Sequence, residues 1–187
     1  IRRQRHMCIR DSINRDINLN DDNIPMEVDC LITSLKKVPI MVMGADCNLI
    51  LMADLRKKII AAVHAGWKGT LQEITARAIS YMIKKFKSKK RNIFVVFGPS
   101  IRKCCYKVNS SIIDKFVNKF GCRDFFTIKN KSFYLDLVSI NYMQLKDSGI
   151  SDENICDCSE CTCCNPDFYS YRRSKITGRQ AAIAAIL

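Results

Sequence analysis

The stretch 44-GADCNLILMADLRKKIIAAVHAGWKGT-70 decides the fold. Two apolar segments, Asn48 to Ala53 and Lys58 to Val63, have strand length and flank a short polar run. Asp54-Leu55-Arg56-Lys57 is short enough to return one strand onto the other, although it is not a strong turn signature. With Leu55 and Arg56 at the centre of that turn, Cys47 falls opposite His64 at the open end of the hairpin. Opposed residues of an antiparallel pair lie about 5 Å apart, with side chains on one face. One tetrahedral zinc could take both, at about 2.3 Å to sulfur and about 2.0–2.1 Å to nitrogen. A Cys-His-His set completed by His6, the other histidine of the chain, would leave one coordination position open, as catalytic zinc requires. Such a position polarises an oxygen or lowers the pKa of bound water. Asp46, beside the cysteine, could orient an imidazole or act as a base.

Outward from the hairpin, Ile40 to Met43 reads as a strand interrupted by 44-GADC-47, and 12–29 as polar loop or irregular edge. Gly66 and Gly69 mark a loop after the hairpin. Thr70 and Glu73 form a capping box that predicts a helix start, with Leu71, Ile74, Ala78, Tyr81 and Met82 on one face. That helix ends in 84-KKFKSKKR-91, where positive charge suits a helix C-terminus. Ile93 to Phe97 reads as a buried strand stopped by Gly98-Pro99, and Ser111 to Phe120 as a short amphipathic helix. A strand ending at Tyr134 to Leu137 leads into a helix that Gly149 closes. The tail 177-TGRQAAIAAIL-187 fits a strand or a helix equally well. Alternating strands and helices with one tight hairpin predict an α/β fold with a mixed sheet and helices packed against it.

The 187 residues, 48% of them hydrophobic, suit one domain with a sizeable core. A run of about 18 apolar residues, the mark of a membrane span, does not occur. The N-terminus is basic without the apolar core of a secretory signal, so a cytoplasmic protein with reduced thiols is expected despite 11 cysteines. A net charge of +13 favours anionic partners. The lysine runs form no interleaved aromatic platform and read as solvated helix ends and turns, which disfavours nucleic acid as a partner.

Each sharp reading has a plain counterpart. A cysteine in an apolar stretch is most often core, a lone histidine beside a glycine-rich loop is as often structural, and Trp67 reads first as packing. Within 156-CDCSECTCC-164 the CxC and CxxC elements lack a distant partner pair of clear spacing. Free thiols are the first reading there, with a structural metal or a redox pair as alternatives.

The 44–70 stretch resembles the signature of the laccase-domain, polyphenol-oxidase family, whose members are regarded as purine nucleoside phosphorylases. That signature runs Thr-Ala-Asp-Cys, a hairpin, then His-Ala-Gly-Trp-Arg-Gly; here Gly44 replaces the threonine and Lys68 the arginine. Lys68 keeps the charge but loses the bidentate guanidinium fork. The runs 29-DCLIT-33, 97-FGPSIRKCCYKV-108, 134-YLDLVSINYMQLKDSGI-150 and 161-CTCCNPDFYSYRRSKITGRQA-181 resemble further family segments, in family order. The resemblance implies metal ligation by Cys47 and His64, with 4-QRH-6 supplying His6 as the second histidine. It also implies one laccase-like domain over 1–187 without the family's N-terminal strands. The fold implied is a layered α/β sandwich of mixed sheets flanked by helices, akin to the catalytic domains of deamidating toxins of the cysteine-hydrolase type.

The activity implied is zinc-dependent phosphorolysis of adenosine or inosine to free base and ribose 1-phosphate, with methylthioadenosine cleavage and adenosine deamination as further activities. Lys68, Arg172, Arg173 and Arg179 are the candidates for phosphate binding, with the Tyr-Arg-Arg pair favoured because a guanidinium fork matches phosphate oxygens. The rivals are cysteine hydrolysis by Cys47 and His64, copper-linked polyphenol oxidation, and a metal-binding fragment without activity. Purine nucleosides and phosphate are the expected partners, Cu2+ is the alternative to Zn2+, and the chain is expected as a monomer or homodimer.

Overall fold

The computed structural model describes residues 9–10, 28–121 and 124–187. Its strands are β1 (Ile9–Arg10), β2 (Cys30–Thr33), β3 (Ile40–Gly44), β4 (Asn48–Asp54), β5 (Ile59–Ala65), β6 (Ile93–Phe97), β7 (Lys107–Val108), β8 (Phe126–Lys129), β9 (Ser132–Leu135), β10 (Ile155–Asp157) and β11 (Gln180–Ala184). Its helices are α1 (Trp67–Leu71), α2 (Ile74–Phe86), α3 (Ser110–Phe120) and α4 (Leu137–Asp147). His6 lies outside the described residues.

The expected hairpin sits near the middle of a six-stranded sheet of order β1-β2-β5-β4-β6-β10. The sheet is mixed. β1 and β10 run parallel to their neighbours, and the other pairs are antiparallel. Being central, β4 and β5 are covered on both faces, which explains their nearly continuous apolar runs. On one face α2 and α4 bury Ile74, Ala78, Ile79, Met82 and Leu145 against Ile50, Met52, Val63 and Val95. On the other, β3 pairs with β11 in a separate two-stranded sheet, and Ile40 and Val42 pack on Leu49, Ile60 and Ala62. Truncating a fully buried side chain such as Ile50 to alanine costs about 2–5 kcal/mol. A third cluster, with Phe116, Leu135 and Ile140 at its centre, joins α3, α4 and the small β7-β9-β8 sheet to Trp67 and Leu71 of α1.

Two local expectations are corrected and one open alternative is resolved. The hairpin pairs Leu49, not Cys47, with His64. The loop occupies residues 55–58 because the Asp54 carboxylate accepts from the Arg56 and Lys57 amides and Lys58 takes a left-handed φ of 53°. Opposed partners slip by two, so Cys47 stays on the same face as His64, as a diagonal neighbour. The Thr70–Glu73 capping box does not form. A first short helix begins at Trp67, Glu73 breaks the chain at φ 60°, and the Glu73 side chain pairs with Lys119 instead. Thr70 is a buried brace: its hydroxyl accepts from Asn141 Nδ2 at 2.9 Å, and its carbonyl accepts from Gln144 Nε2 at 2.8 Å. That locks α1 onto α4. The ambiguous tail resolves as a strand, β11, which covers β3. Among the described residues no helix is long and apolar enough to cross a membrane.

Candidate metal and active site

The open end of the β4–β5 hairpin is built by three segments, residues 45–47, Asp29 before β2, and His64 to Gly66 at the end of β5. The first is 45–47, where Asp46 adopts φ 86°, a left-handed conformation that a non-glycine residue takes only when its surroundings hold it there. Its main-chain oxygen accepts from the Ile101 amide at 2.8 Å. Its carboxylate accepts from the Thr162 hydroxyl at 2.8 Å and from the Arg172 amide at 2.6 Å. Asp46 thus ties two distant loops to the kink that presents Cys47. Its carboxylate is engaged in that tie and does not meet the imidazole.

The carboxylate that does so is Asp29, immediately before β2. His64 Nδ1 lies 2.8 Å from Asp29 Oδ1, and the His64 amide donates to the Asp29 carbonyl at 2.7 Å. Because a carboxylate accepts, Nδ1 carries the proton, and the opposite edge of the ring faces the Cys47 thiol, with which it hydrogen-bonds. Burial lowers the imidazole pKa, but the hydrogen bonds to Asp29 and Cys47 and their negative charge outweigh it and push it up to about 10. Two glycines make the space. A Cβ at Gly66 would lie 3.1 Å from Cys47 Sγ and 3.7 Å from His64 Cε1, and one at Gly44 would lie 3.7 Å from His64 Cδ2.

This donor set fits a zinc-class ion. It offers a thiol and an imidazole side by side. A carboxylate on the remote ring nitrogen is the usual outer support of a metal-bound histidine. Tyr106 faces the same region: burial raises its phenol pKa well above the ordinary value, with the nearby Cys47 and Asp46 adding to the rise and Arg172 opposing it. Asp29 and Tyr106 are the two site residues that sequence reasoning missed, although both lie in the runs 29-DCLIT-33 and 97-FGPSIRKCCYKV-108 that carried the resemblance.

The expected phosphate binders are placed unequally. Lys68 is exposed, with its ammonium 5.6 Å from the centre of the Trp67 ring. Arg172 lies over the Tyr106 ring at 5.2 Å and donates to the carbonyls of Cys105 and Lys107. Arg173 donates to the carbonyls of Thr162, Cys163, Asn165 and Phe168, so its guanidinium holds the cysteine-rich loop together. Arg179 donates to the Thr177 and Gly178 carbonyls.

A second group of possible metal ligands lies beside this site. The sulfurs of Cys104, Cys105, Cys161 and Cys164 all lie within 4.8 Å of one another, close enough to hold a metal ion.

Residues 3–187 match the family model described as multi-copper polyphenol oxidoreductase laccase. The chain belongs to that family. Laccase-family relatives include the human protein named purine nucleoside phosphorylase LACC1, 32% identical over 169 residues that cover 87% of this chain and 39% of the human one. The Aquifex aeolicus purine nucleoside phosphorylase is 32% identical over 169 residues, covering 90% of this chain and 76% of that protein. The solved structure of the Bacillus licheniformis hypothetical protein YfiH aligns with a TM-score of 0.80 at 31% identity, covering 86% of this chain and 62% of that one. YlmD from Geobacillus stearothermophilus aligns at 0.79 and 27% identity, covering 85% and 61%. The chain therefore spans only part of the length of these relatives. These alignments also correct the expected fold kinship. The α/β arrangement of mixed sheets flanked by helices is that of the laccase-family proteins YfiH and YlmD, not that of the deamidating-toxin cysteine hydrolases.

Proposed function

We infer that the chain carries the metal-binding core of a purine nucleoside phosphorylase, with Zn2+ held by Cys47 and His64 and by His6 from the segment outside the described residues. The observation that carries this reading is the imidazole fixed by Asp29 on one edge and facing the Cys47 thiol on the other. The names of the relatives supply the reaction class. When bound, the ion supplies a Lewis acid that stabilises negative charge on an oxygen. Asp29 keeps the His64 proton on Nδ1, which leaves Nε2 as the donor. Asp46 holds the backbone kink that aims the thiol. Lys68 and Arg172 add positive charge for phosphate, and the protonated Tyr106 phenol offers a hydrogen bond to substrate. Phosphate oxygen forms a bond to the anomeric carbon of adenosine or inosine, and the base departs with the electrons of the glycosidic bond. The products are ribose 1-phosphate and free purine.

The test is chromatography of adenosine and inosine incubated with chelator-treated chain, with zinc and phosphate each added or withheld. The expected result is free base and ribose 1-phosphate only when both are present. Inosine formed from adenosine without phosphate would indicate deamination instead. Phenol oxidation dependent on copper, or hydrolysis that survives chelation, would contradict the reading.

A further inference from the structure

We propose that Cys104, Cys105, Cys161 and Cys164 form a closed four-thiolate zinc site that clasps the loop after β6 to the loop after β10, separate from the Cys47–His64 centre.

The geometry is that of a shared central atom. A tetrahedral ion about 2.3 Å from each sulfur sets the sulfurs about 3.8 Å apart. Here Cys104 Sγ lies 3.5 Å from Cys161 Sγ and 3.6 Å from Cys164 Sγ, and Cys105 Sγ lies 3.3 Å from Cys164 Sγ. Cys104 and Cys164 thus each touch two other sulfurs. Disulfide formation would pair these thiols two by two and break that network, whereas one ion satisfies all four.

The backbone prepares the site on both sides. The Cys105 and Tyr106 amides both donate to the Arg102 carbonyl, which makes a tight turn that brings the two adjacent thiols to one side. On the facing loop the Asn165 amide donates to the Cys161 carbonyl, one turn that brings the C-x-x-C thiols together. A parallel bridge between Ser100 and Cys161 sets the two loops side by side. The amides of Arg102, Cys163 and Cys164 point at the Cys161 sulfur. Four thiolates and one Zn2+ carry two net negative charges, and the Arg173 guanidinium, which donates to the Cys163 carbonyl, is anchored on the cysteine-rich loop to offset part of them.

The clasp acts on the candidate active site through Thr162. That residue follows Cys161, donates its hydroxyl to Asp46 and accepts from Arg173 through its carbonyl. Closing the four thiols on an ion fixes Thr162 and with it the kink that presents Cys47. Zinc is favoured by the all-sulfur tetrahedral set with no open position, which is the form of structural sites.

The test uses the full chain carrying Cys47→Ala and His64→Ala, purified under reducing conditions with zinc present. Metal analysis is expected to find one zinc per chain, and zinc K-edge absorption to find four sulfur neighbours at about 2.3 Å. Neither measurement requires a cluster variant to fold. In the otherwise unaltered chain, Cys104→Ser and Cys164→Ser are each expected to remove one zinc equivalent and lower Tm, while Cys158→Ser, an exposed thiol of the same segment, keeps it. Absence of zinc from the double variant, nitrogen or oxygen neighbours in place of sulfur, or a Cys104–Cys161 disulfide that persists through purification under reducing conditions would overturn the proposal. Loss of phosphorolysis alone bears only on the Cys47–His64 reading.

Discussion

Two thiol-bearing regions lie on either side of Asp46, and they differ in what surrounds the sulfur. Around Cys47 the neighbours are an imidazole, a carboxylate behind it, and two glycines that keep the space clear. Around Cys161 the neighbours are other thiols and main-chain amides, and Arg173 fills its reach with loop carbonyls. The first arrangement mixes donor types and depends on Gly44 and Gly66 having no side chain. The second saturates itself with sulfur and joins two loops. Open coordination with outer carboxylate support serves chemistry, and closed thiolate coordination serves folding. Asp46 couples the two, since one carboxylate touches Thr162 of the clasp and the Arg172 amide while its own backbone presents Cys47.

That contrast breaks most visibly if the two regions respond alike to ligand removal. His64→Ala should reduce phosphorolysis to background with little change in Tm, whereas Cys161→Ser should lower Tm sharply and reduce activity only as the fold loosens. Parallel thermal melts and product assays check both halves. Asp29→Asn sharpens the role of the outer carboxylate. It should reduce metal affinity or turnover by about 10–100-fold, read by competitive chelation and by kcat/KM, and leave cluster zinc unchanged.

How far the sequence reveals these regions follows from the range of the contacts. Cys47 and His64 belong to one hairpin, so strand alternation alone puts them on one face. The register differs from the expected one by two because the turn depends on the buried Asp54 side chain, in a segment without a strong turn signature. The capping box failed because Thr70 found buried partners in α4, a tertiary demand that outweighs a local cap. Asp29 and Tyr106 reach the site from other strands and loops, beyond any local spacing rule. The clasp was hidden for the same reason. The partner of the C-x-x-C pair is an adjacent Cys-Cys pair after β6, brought to it by the pairing of β10 with β6 and the Ser100–Cys161 bridge.

Smaller effects test the joint between the regions. Asp46→Asn keeps the shape but weakens two charge-assisted hydrogen bonds, and should destabilise the chain by about 1–3 kcal/mol in denaturant titration. A larger fall in activity than in stability would mark the Cys47 kink as the sensitive element. At the edge of the clasp, Arg102 grips Asp157 through two hydrogen bonds at 2.7 and 2.6 Å. Burial raises the Asp157 pKa, but Arg102 and the Ser159 amide outweigh it and hold it below the usual carboxylate range. The unfolded state therefore binds the proton more readily. The stabilisation is full above the unfolded value and is lost as pH falls through the folded one. Thermal melts from about pH 6 to about pH 2 should show a steeper fall for the native chain than for Asp157→Asn.

The most direct measurement is a stepwise return of zinc to the fully chelated, reduced chain, following Tm and ribose 1-phosphate at each addition in the presence of inosine and phosphate. The account predicts that the first equivalent raises Tm without product, because four thiolates bind it most tightly, and that product appears with the second. Product that rises in full with the first equivalent would contradict a tighter four-thiolate site that fills first, and no product at any zinc level while Tm still rises would contradict the assignment of catalysis to Cys47 and His64.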